Sequence, residues 1–289
     1  MADRHNTASL LAPGLYLVST PIGTARDITL RGLDILGSAD VIAAEDTRTA
    51  RRLMEIHGIA VAGRAMLPYH DHSGDGVRAR VVAEIAAGKS VAYMSEAGTP
   101  LVADPGFALA RSVANAGHLV TAAPGASALL AALALSGMPT DRFFFAGFLP
   151  PKSAARGAAL RDLADIPATL VFYESPKRMA KTLADMGAVF GTGREIAICR
   201  ELTKKFEQVR RGPIAEIAAM LGDDIPLKGE FVIVAGPPER AAITEADLDT
   251  ALIDAMESQS IKDAAAAVSG ALGIPRKRAY ARALELKQR

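Results

Sequence analysis

The sequence is poor in cysteine and in aromatic residues. Cys199 is the single cysteine among 289 residues, which excludes an internal disulfide and a cysteine-rich zinc site. Tryptophan is absent and aromatic residues make up only 5%, so the 50% hydrophobic residues are mainly Ala, Leu, Val and Ile. This composition is typical of a parallel or mixed sheet covered by alanine-rich helices. The net charge of +1 neither indicates nor excludes a nucleic-acid partner, because local patches can differ from the total.

Long apolar runs are also missing. No stretch approaches the roughly 18 apolar residues that a membrane-spanning helix needs. The first seven residues are polar and include Asp3, unlike the basic start and long apolar segment of a secretory signal. The sequence therefore predicts a cytoplasmic protein that does not associate with membranes.

Three loops rich in glycine and proline each follow a strand-like apolar stretch. They lie at residues 19–23, 95–100 and 124–128. A glycine turn after a buried strand lets backbone N–H groups approach a ligand where a side chain would obstruct it. The three loops together favour a small polar cofactor at the strand ends of an α/β sheet, whereas any one of them alone is equally consistent with an ordinary turn.

Alternating patterns predict the domain organisation. Strands at residues 15–18, 41–44, 90–94 and 119–123 alternate with helical segments, which predicts an α/β domain with a mainly parallel sheet. Further strands at 143–145, 169–173, 195–200 and 231–235 predict a second α/β domain. The complete prediction is a flexible leader at 1–13, an N-terminal α/β domain at 14–124, a C-terminal α/β domain at 125–237 and a helical, basic-ended appendage at 238–289.

Six ordered motifs connect these segments to a known family. They are LYLVSTPIGTARDITLRGLDILGSADVIAAEDTR from Leu15, SEAGTPLVADPG from Ser95, PGASA from Pro124, GFLP from Gly147, FYESPKR from Phe172 and CRELTKKFE from Cys199. With these motifs the chain resembles the ribosomal RNA small subunit methyltransferase I family, of the tetrapyrrole methylase-like fold. Glu96, Ala126 and Thr24 depart from that family's usual Asp, Pro and Asn.

The resemblance implies a homodimeric enzyme that uses S-adenosylmethionine (SAM). The family methylates the 2′-oxygen of a cytidine ribose in the decoding region of 16S rRNA, and the expected partner is this rRNA within the 30S subunit. Resemblance and loop position together assign the cofactor to thirteen residues: Pro21, Ile22, Gly23, Glu96, Ala97, Gly98, Thr99, Pro100, Gly125, Ser127, Ala128, Tyr173 and Leu202.

Charged residues at other predicted strand ends are candidates for catalysis and for RNA binding. The candidates for proton handling are Glu201 and Lys204, with His70 and Asp46, although Asp46 is equally suited to cap the following helix. The candidate RNA contacts are basic: Arg48, Arg52, Lys177, Arg178, Lys205, Arg278 and Arg282. The alternative is that these residues lie on a solvated helix face or form structural ion pairs.

The sequence also bears on four other possible functions. The segment from Tyr69 to His72 contains two histidines, but too few further ligands follow at a suitable spacing for zinc, so no metal site is expected. A Rossmann dehydrogenase is excluded because no G-x-G-x-x-G follows the first strand. A methyltransferase of the same fold acting on a tetrapyrrole-like small molecule and a non-catalytic ribosome-binding factor remain alternatives.

The last thirty residues predict two helices separated by a turn at Gly273 and Pro275. The second helix begins with Arg276, Lys277 and Arg278. Positive charge is unfavourable at a helix N-terminus, so the cluster is not explained by helix stability. We expect this appendage to supply part of the affinity for RNA.

Overall fold

The computed structural model describes residues 10–70, 74–238 and 244–287. The chain forms two compact units, Met1–Pro238 and Glu239–Arg289. Within the described residues, no helix combines the length and the apolar character that crossing a bilayer requires.

The first sheet has five parallel strands, of which the alternating pattern predicts four. They are β1 (Gly14–Val18), β2 (Val41–Ala44), β3 (Ala65–Pro68), β4 (Ser90–Met94) and β5 (Leu119–Ala123), in the order β3-β2-β4-β1-β5. Four helices connect them: α1 (Leu30–Ser38), α2 (Thr47–Ile56), α3 (Asp75–Ala86) and α4 (Phe107–Asn115). Residues that alternate along β1 enter different cores, Val18 on one face of the sheet and Leu15 on the other, because helices cover both faces.

This strand order explains why the three glycine-rich loops meet. β4, β1 and β5 are neighbours in the sheet and run in the same direction. The loops that follow them therefore leave the same edge, and the loop after β2 lies next to that of β4.

The second sheet is mixed. It contains β6 (Phe143–Phe148), β7 (Thr169–Glu174), β8 (Glu195–Arg200), β9 (Gln208–Pro213) and β10 (Phe231–Ala235), in the order β6-β7-β10-β8-β9. β6 is parallel to β7, whereas the other neighbours are antiparallel. Its helices are α5 (Ala128–Ser136), α6 (Ser153–Ala164), α7 (Met179–Phe190) and α8 (Ile214–Ala219).

Strand register brings distant segments to one edge of this sheet. Phe231 at the start of β10 lies opposite Glu174 at the end of β7 and opposite Arg200 at the end of β8. Residues just outside these strand ends are therefore neighbours in space. The predicted division into α/β domains at 124/125 stays a prediction, since the contacts group both sheets in one compact unit.

The second unit contains three helices, α9 (Glu245–Met256), α10 (Ile261–Leu272) and α11 (Arg276–Lys287). Thr244 and Asp247 form a capping box at the start of α9, and Leu248, Leu252 and Val268 belong to the core of the unit. Gly273 ends α10 in the left-handed conformation with φ of 65°. The two helices predicted around this glycine are confirmed.

Candidate active site

A cavity of about 450 Å³ lies where the loop edges of the two sheets face each other. The first sheet contributes loops after β1, β2, β4 and β5, and the second contributes the ends of β6 and β7 and the start of β10. The lining consists of Ile22, Glu45, Glu96, Ala97, Gly98, Thr99, Val102, Ala103, Asp104, Ser127, Ala128, Phe148, Tyr173, Glu174, Ser175, Pro176, Gly229, Glu230, Phe231 and Val232. Its size is that of a small-molecule site.

The glycine-rich loops are tied to one another by hydrogen bonds. The N–H of Thr20 donates to the Gly98 carbonyl at 2.9 Å, and the N–H of Gly98 donates to the Thr20 carbonyl at 3.1 Å. The Thr99 hydroxyl donates to the Ala126 carbonyl at 3.0 Å, which joins the loop after β4 to the loop after β5. The three loops therefore form one connected wall rather than three independent turns.

The loop after β4 has an unusual backbone. Gly98 has φ of 88°, and the non-glycine residues Leu101 and Ala103 have φ of 71° and 58°. Left-handed conformations in residues with a Cβ cost about 1–2 kcal/mol each and concentrate at functional sites. This strained loop lines the cavity through Gly98 and Ala103.

Tyr173 forms part of the opposite wall. Its hydroxyl accepts a hydrogen bond from the Leu129 N–H at 3.1 Å, and its ring makes edge contacts with Phe145 and Phe148 at centroid distances of 4.9 and 5.7 Å. Burial, with a smaller contribution from the negative charge of Asp104, raises the pKa of Tyr173. The side chain is thus a neutral, fixed aromatic surface at neutral pH.

The lining is acidic. Within the described part of the chain, no lysine or arginine stands among the lining residues. Five carboxylate side chains line the cavity: Glu45, Glu96, Asp104, Glu174 and Glu230. One of them, Glu174, is buried and serves the fold, since its oxygens accept from the Thr182 hydroxyl at 2.6 Å and pair with Arg178 at 3.2 Å. Such a cavity favours a ligand with positive charge and disfavours phosphate.

A charged triad stands at one side of the cavity. The Lys204 ammonium donates to Glu201 at 3.0 Å and to Glu230 at 2.8 Å, and the Glu230 N–H donates to Glu201 at 3.0 Å. Burial favours the neutral forms, but these hydrogen bonds outweigh it, so the pKa of Glu201 is lowered and the pKa of Lys204 is raised. Both groups are therefore charged at neutral pH.

Gly229 allows this triad to form. Its φ is 93°, and a Cβ at this position would lie 2.5 Å from the Glu201 carboxyl group. Glu201 itself has φ of 50°. The close approach of two loops, one after β8 and one before β10, therefore requires a glycine, and the loop after β8 contains two strained residues, Glu201 and Thr203, the latter with φ of 61°.

Eight of the thirteen residues predicted to bind the cofactor line the cavity: Ile22, Glu96, Ala97, Gly98, Thr99, Ser127, Ala128 and Tyr173. Leu202 instead packs with Ile22 in a buried cluster. Gly23 lies against the loop after β8, where a Cβ would meet the Lys204 side chain at 2.5 Å. Gly125 lies against Ser19, whose side chain a Cβ would meet at 2.8 Å. These glycines permit the close packing of the loops that form the wall. Their roles toward a cofactor stay predictions, as do those of Pro21 and Pro100.

The four residues predicted to handle protons lie outside the lining, among the residues the structure describes. Glu201 and Lys204 reach it through Glu230. Asp46 caps α2, accepting from the Arg48 N–H at 2.7 Å, and pairs with the Arg48 side chain at 3.0 Å. His70 follows β3, an edge strand separated from β4 by β2. Capping by Asp46 is thus observed, and its catalytic role stays a prediction.

The predicted RNA contacts differ in how much of their charge is available. Lys177 and Lys205 are exposed beside the loop ends of the second sheet. By contrast, Arg178 pairs with Glu174 at 3.2 Å and donates to the Leu149 carbonyl at 2.6 Å. It stabilises the fold whether or not it contacts RNA.

The same contrast separates the basic residues on helices. Arg52 on α2 and Arg278 on α11 are exposed, and Arg48 is exposed but paired with Asp46 at 3.0 Å. Arg282, however, holds Asp249 with two bonds of 2.6 Å and also pairs with Glu285. Its guanidinium joins α11 to α9, and its contact with RNA stays a prediction.

Sequence reasoning missed several lining residues, above all Glu45, Asp104, Phe148 and Glu230. Glu45 directly follows β2, and Asp104 lies in the loop after β4. Both lie inside motifs quoted for the family, so the sequence contained a signal for their positions. Glu230 carries no such signal, because it reaches the cavity only through the register of β10. Among the described residues, no group of three or more His, Cys, Asp or Glu side chains could hold a metal ion; Asp71 and His72 lie outside them.

Two family models match the chain. The model described as Tetrapyrrole (Corrin/Porphyrin) Methylases matches residues 14–218, and the model described as RsmI C-terminal HTH domain matches residues 242–287. The first match extends from the start of β1 into α8. The second covers the three-helix unit.

Curated relatives are similar over almost the whole chain. Ribosomal RNA small subunit methyltransferase I of Mesorhizobium japonicum is 43% identical, over 96% of this chain and 93% of the relative. The protein of the same name from Erythrobacter litoralis is 45% identical, over 99% of each chain. The one from Escherichia coli O157:H7 is 38% identical, over 98% of each.

Solved structures share the fold at low identity. A cobalt precorrin-4 methyltransferase aligns with a TM-score of 0.57 and 17% identity, over 77% of this chain and 94% of its own. A uroporphyrin-III C-methyl transferase from Thermus thermophilus, complexed with S-adenyl homocysteine, aligns with a TM-score of 0.53 and 19% identity, over 77% and 97%. At these identities the similarity shows a shared fold.

Proposed function

Because the chain belongs to the ribosomal RNA small subunit methyltransferase I family and has that family's SAM-dependent fold, we propose that it methylates the 2′-hydroxyl of a cytidine ribose in the decoding region of 16S rRNA. The observation that carries this proposal is the acidic cavity between the two sheets, where the glycine-rich loops face the Lys204 and Glu230 pair. The site of action is the cytoplasm, within the 30S subunit.

The residues of the cavity fit SAM. The molecule carries a sulfonium, an ammonium and a carboxylate group, so its net charge is positive, and five carboxylates line the space that would receive it. Gly98 and Ile22 both line the cavity. A side chain at position 98 would be strained at φ of 88°, and its Cβ would lie 3.3 Å from Ile22, so a glycine keeps this part of the wall uncrowded. The residues that hold the cofactor are those of the connected wall, with Glu96, Gly98 and Thr99 after β4 and Ser127 and Ala128 after β5.

When bound, SAM supplies a methyl group that its sulfonium charge has already activated, so the reaction needs no metal. The remaining task of the protein is to align the acceptor oxygen and to receive its proton as the new bond forms. Glu230 is the carboxylate that performs this task, because it lines the cavity. Lys204 fixes it through the 2.8 Å contact, and Glu201 holds Lys204 from the other side.

RNA is held outside the cavity. Lys177 directly follows the lining residue Pro176 and is exposed, as is Lys205 beyond the triad. Phosphate contacts from these lysines, and from Arg48 and Arg52 on α2, supply affinity without entering the acidic space. The C-terminal unit adds the exposed cluster of Arg276, Lys277 and Arg278.

The protein acts as a homodimer. β5 and β6 lie at sheet edges, yet they expose apolar side chains, with Leu119 44% and Phe143 and Phe144 each 43% exposed. On α5, Leu130 is 54% exposed. Exposed apolar edges of this kind favour association with another protein surface.

The test is methyl transfer from tritiated SAM to three acceptors: 30S subunits, naked 16S rRNA and a uroporphyrinogen. The proposal expects label in rRNA, mapped by digestion to one decoding-region fragment. Label in the tetrapyrrole would support the small-molecule alternative. SAM binding without transfer to any acceptor would support a non-catalytic ribosome-binding factor.

A further inference from the structure

Phe148 is an exposed aromatic residue held in a fixed position at the cavity. It lines the cavity although it is 58% exposed. The other aromatic lining residues are less available, since Phe231 is 3% exposed and Tyr173 is half-buried between Phe145 and Phe148. An isolated exposed phenylalanine needs no explanation, but one that a rigid loop presents to a ligand site does.

Two arginines hold the loop that directly follows Phe148, the last residue of β6. Arg178 donates to the carbonyls of Leu149 and Pro150 at 2.6 and 3.3 Å. Arg156, whose side chain is 2% exposed, donates to the Pro151 carbonyl at 3.2 Å. Each arginine is anchored in turn by a carboxylate, Glu174 at 3.2 Å for Arg178 and Asp185 at 2.7 Å for Arg156.

The strand before the loop also sets the ring's direction. A β-bulge lies between Phe145 and Gly147, and Gly147 has φ of 64°. The bulge shifts the register so that Phe148 lies opposite Tyr173, with the two rings edge to face at 5.7 Å. One face of the Phe148 ring is thereby left for a ligand.

The charge of the cavity decides which part of an RNA can meet this ring. Carboxylates repel phosphate, so the backbone stays at the lysines on the rim, and only the nucleoside enters. A nucleoside drawn out of its stack needs a new partner for the face of its base, and aromatic side chains are the usual one. Resting on the proposed function, we infer that Phe148 stacks on the base of the nucleotide whose ribose is methylated.

The experiment compares full-length Phe148→Leu and Phe148→Tyr with the wild type, and uses Phe107→Leu as a matched control. Phe107 begins α4 and is 65% exposed, but stands outside the lining and outside the edges proposed for dimerisation. For each protein, SAM affinity is measured by equilibrium dialysis, and kcat and KM are measured with 30S subunits. Light scattering reports the association state.

The inference predicts that Phe148→Leu lowers kcat/KM for 30S subunits by roughly 5- to 150-fold, the range for loss of one stacked base. The loss appears mainly in KM, SAM affinity stays within about twofold, and Phe148→Tyr restores most of the activity. Phe107→Leu retains wild-type kcat/KM.

Three results would overturn the inference. One is Phe148→Leu with the same kcat/KM as Phe107→Leu. Another is a parallel loss of SAM affinity, which would assign the ring to the cofactor's adenine. The third is loss of activity only together with dissociation of the oligomer. If instead the wild type transfers no methyl group to rRNA, the proposed function itself fails, and the two failures are thus distinguished.

Discussion

Lys204 and Glu230, 26 positions apart in the sequence, lie 2.8 Å apart across the loop ends of β8 and β10. The pair links the cavity lining to Glu201, because the Lys204 ammonium also donates to that carboxylate at 3.0 Å. An ammonium held between two carboxylates orients both of them. This relationship turns an exposed glutamate into a fixed acceptor at the cavity.

Glu230→Gln is expected to lower kcat by about 10²- to 10⁴-fold, the usual contribution of a positioned general base. Its amide keeps the shape but cannot take a proton from a hydroxyl. SAM affinity should stay within about twofold, as measured by equilibrium dialysis. Glu216→Gln, on α8 and exposed, is the control and should match the wild type. An active Glu230→Gln enzyme would remove Glu230 from proton handling.

The triad also predicts how stability depends on pH. The pKa of Glu201 is lowered from its ordinary value of 4.5 in the folded protein, so its ionised form contributes stability above that value and loses it as the pH falls through the lowered pKa. Lys204→Gln removes the ammonium whose hydrogen bond and charge lower the pKa of Glu201. Thermal melting between pH 7 and 3 should therefore show a smaller fall in Tm for Lys204→Gln than for the wild type over the acidic part of this range. Equal falls would contradict the coupling.

Gly98→Val should weaken SAM binding by more than about tenfold. Valine is strained at φ of 88°, and its side chain meets Ile22 at the lining; about 1.4 kcal/mol corresponds to a tenfold loss. Gly37→Val on α1, where a Cβ meets nothing within 4 Å, is the control. Titration calorimetry measures both. Wild-type affinity in Gly98→Val would move the cofactor away from this loop.

Cys199 should be unreactive in the native protein. Burial raises the pKa of its thiol to about 12, and the side chain is fully buried in the second sheet. A disulfide reagent such as DTNB at pH 8 should therefore label no thiol in the native state and one per chain in denaturant. Rapid native labelling would show that β8 opens readily.

The basic start of α11 is expected to contact phosphate. Changing Arg276, Lys277 and Arg278 together to Gln should leave SAM affinity unchanged, weaken binding to 30S subunits, and flatten the dependence of log K on log salt by roughly 0.7–0.9 per lost contact. Lys262→Gln, exposed on α10, is the control and retains the wild-type slope. An unchanged slope in the triple variant would leave this cluster without a role in RNA binding.

The parallel sheet and its glycine-rich loops could be predicted from the sequence because their signals are local. Ser90–Met94 is buried throughout since helices cover both faces, and every residue after Ser90 is apolar or aromatic. The loop after it contains its own glycine and proline. β3 and β9 were missed because they are edge strands: Ala65–Pro68 has only one buried residue, and Gln208–Pro213 carries two arginines and no fully buried residue.

The remainder of the site depends on contacts between distant segments. Glu230 reaches the cavity because Phe231 pairs with Glu174 and Arg200, and Phe148 reaches it because a bulge sets it opposite Tyr173. Neither pairing leaves a periodic pattern in the sequence. Glu201 and Lys204, predicted for proton handling, lie in the loop after β8, whereas Glu230, the carboxylate in the lining that they contact, directly precedes β10, 26 positions after Lys204.

The position of the transferred methyl group tests the central claim most directly. After reaction with tritiated SAM, labelled 16S rRNA is hydrolysed in alkali, which cleaves only where a free 2′-hydroxyl can attack the neighbouring phosphate. A ribose 2′-O-methyl group blocks that attack, so the account predicts that the tritium remains in an alkali-resistant dinucleotide beginning with cytidine. Tritium recovered in mononucleotides would place the methyl group on a base and contradict the account.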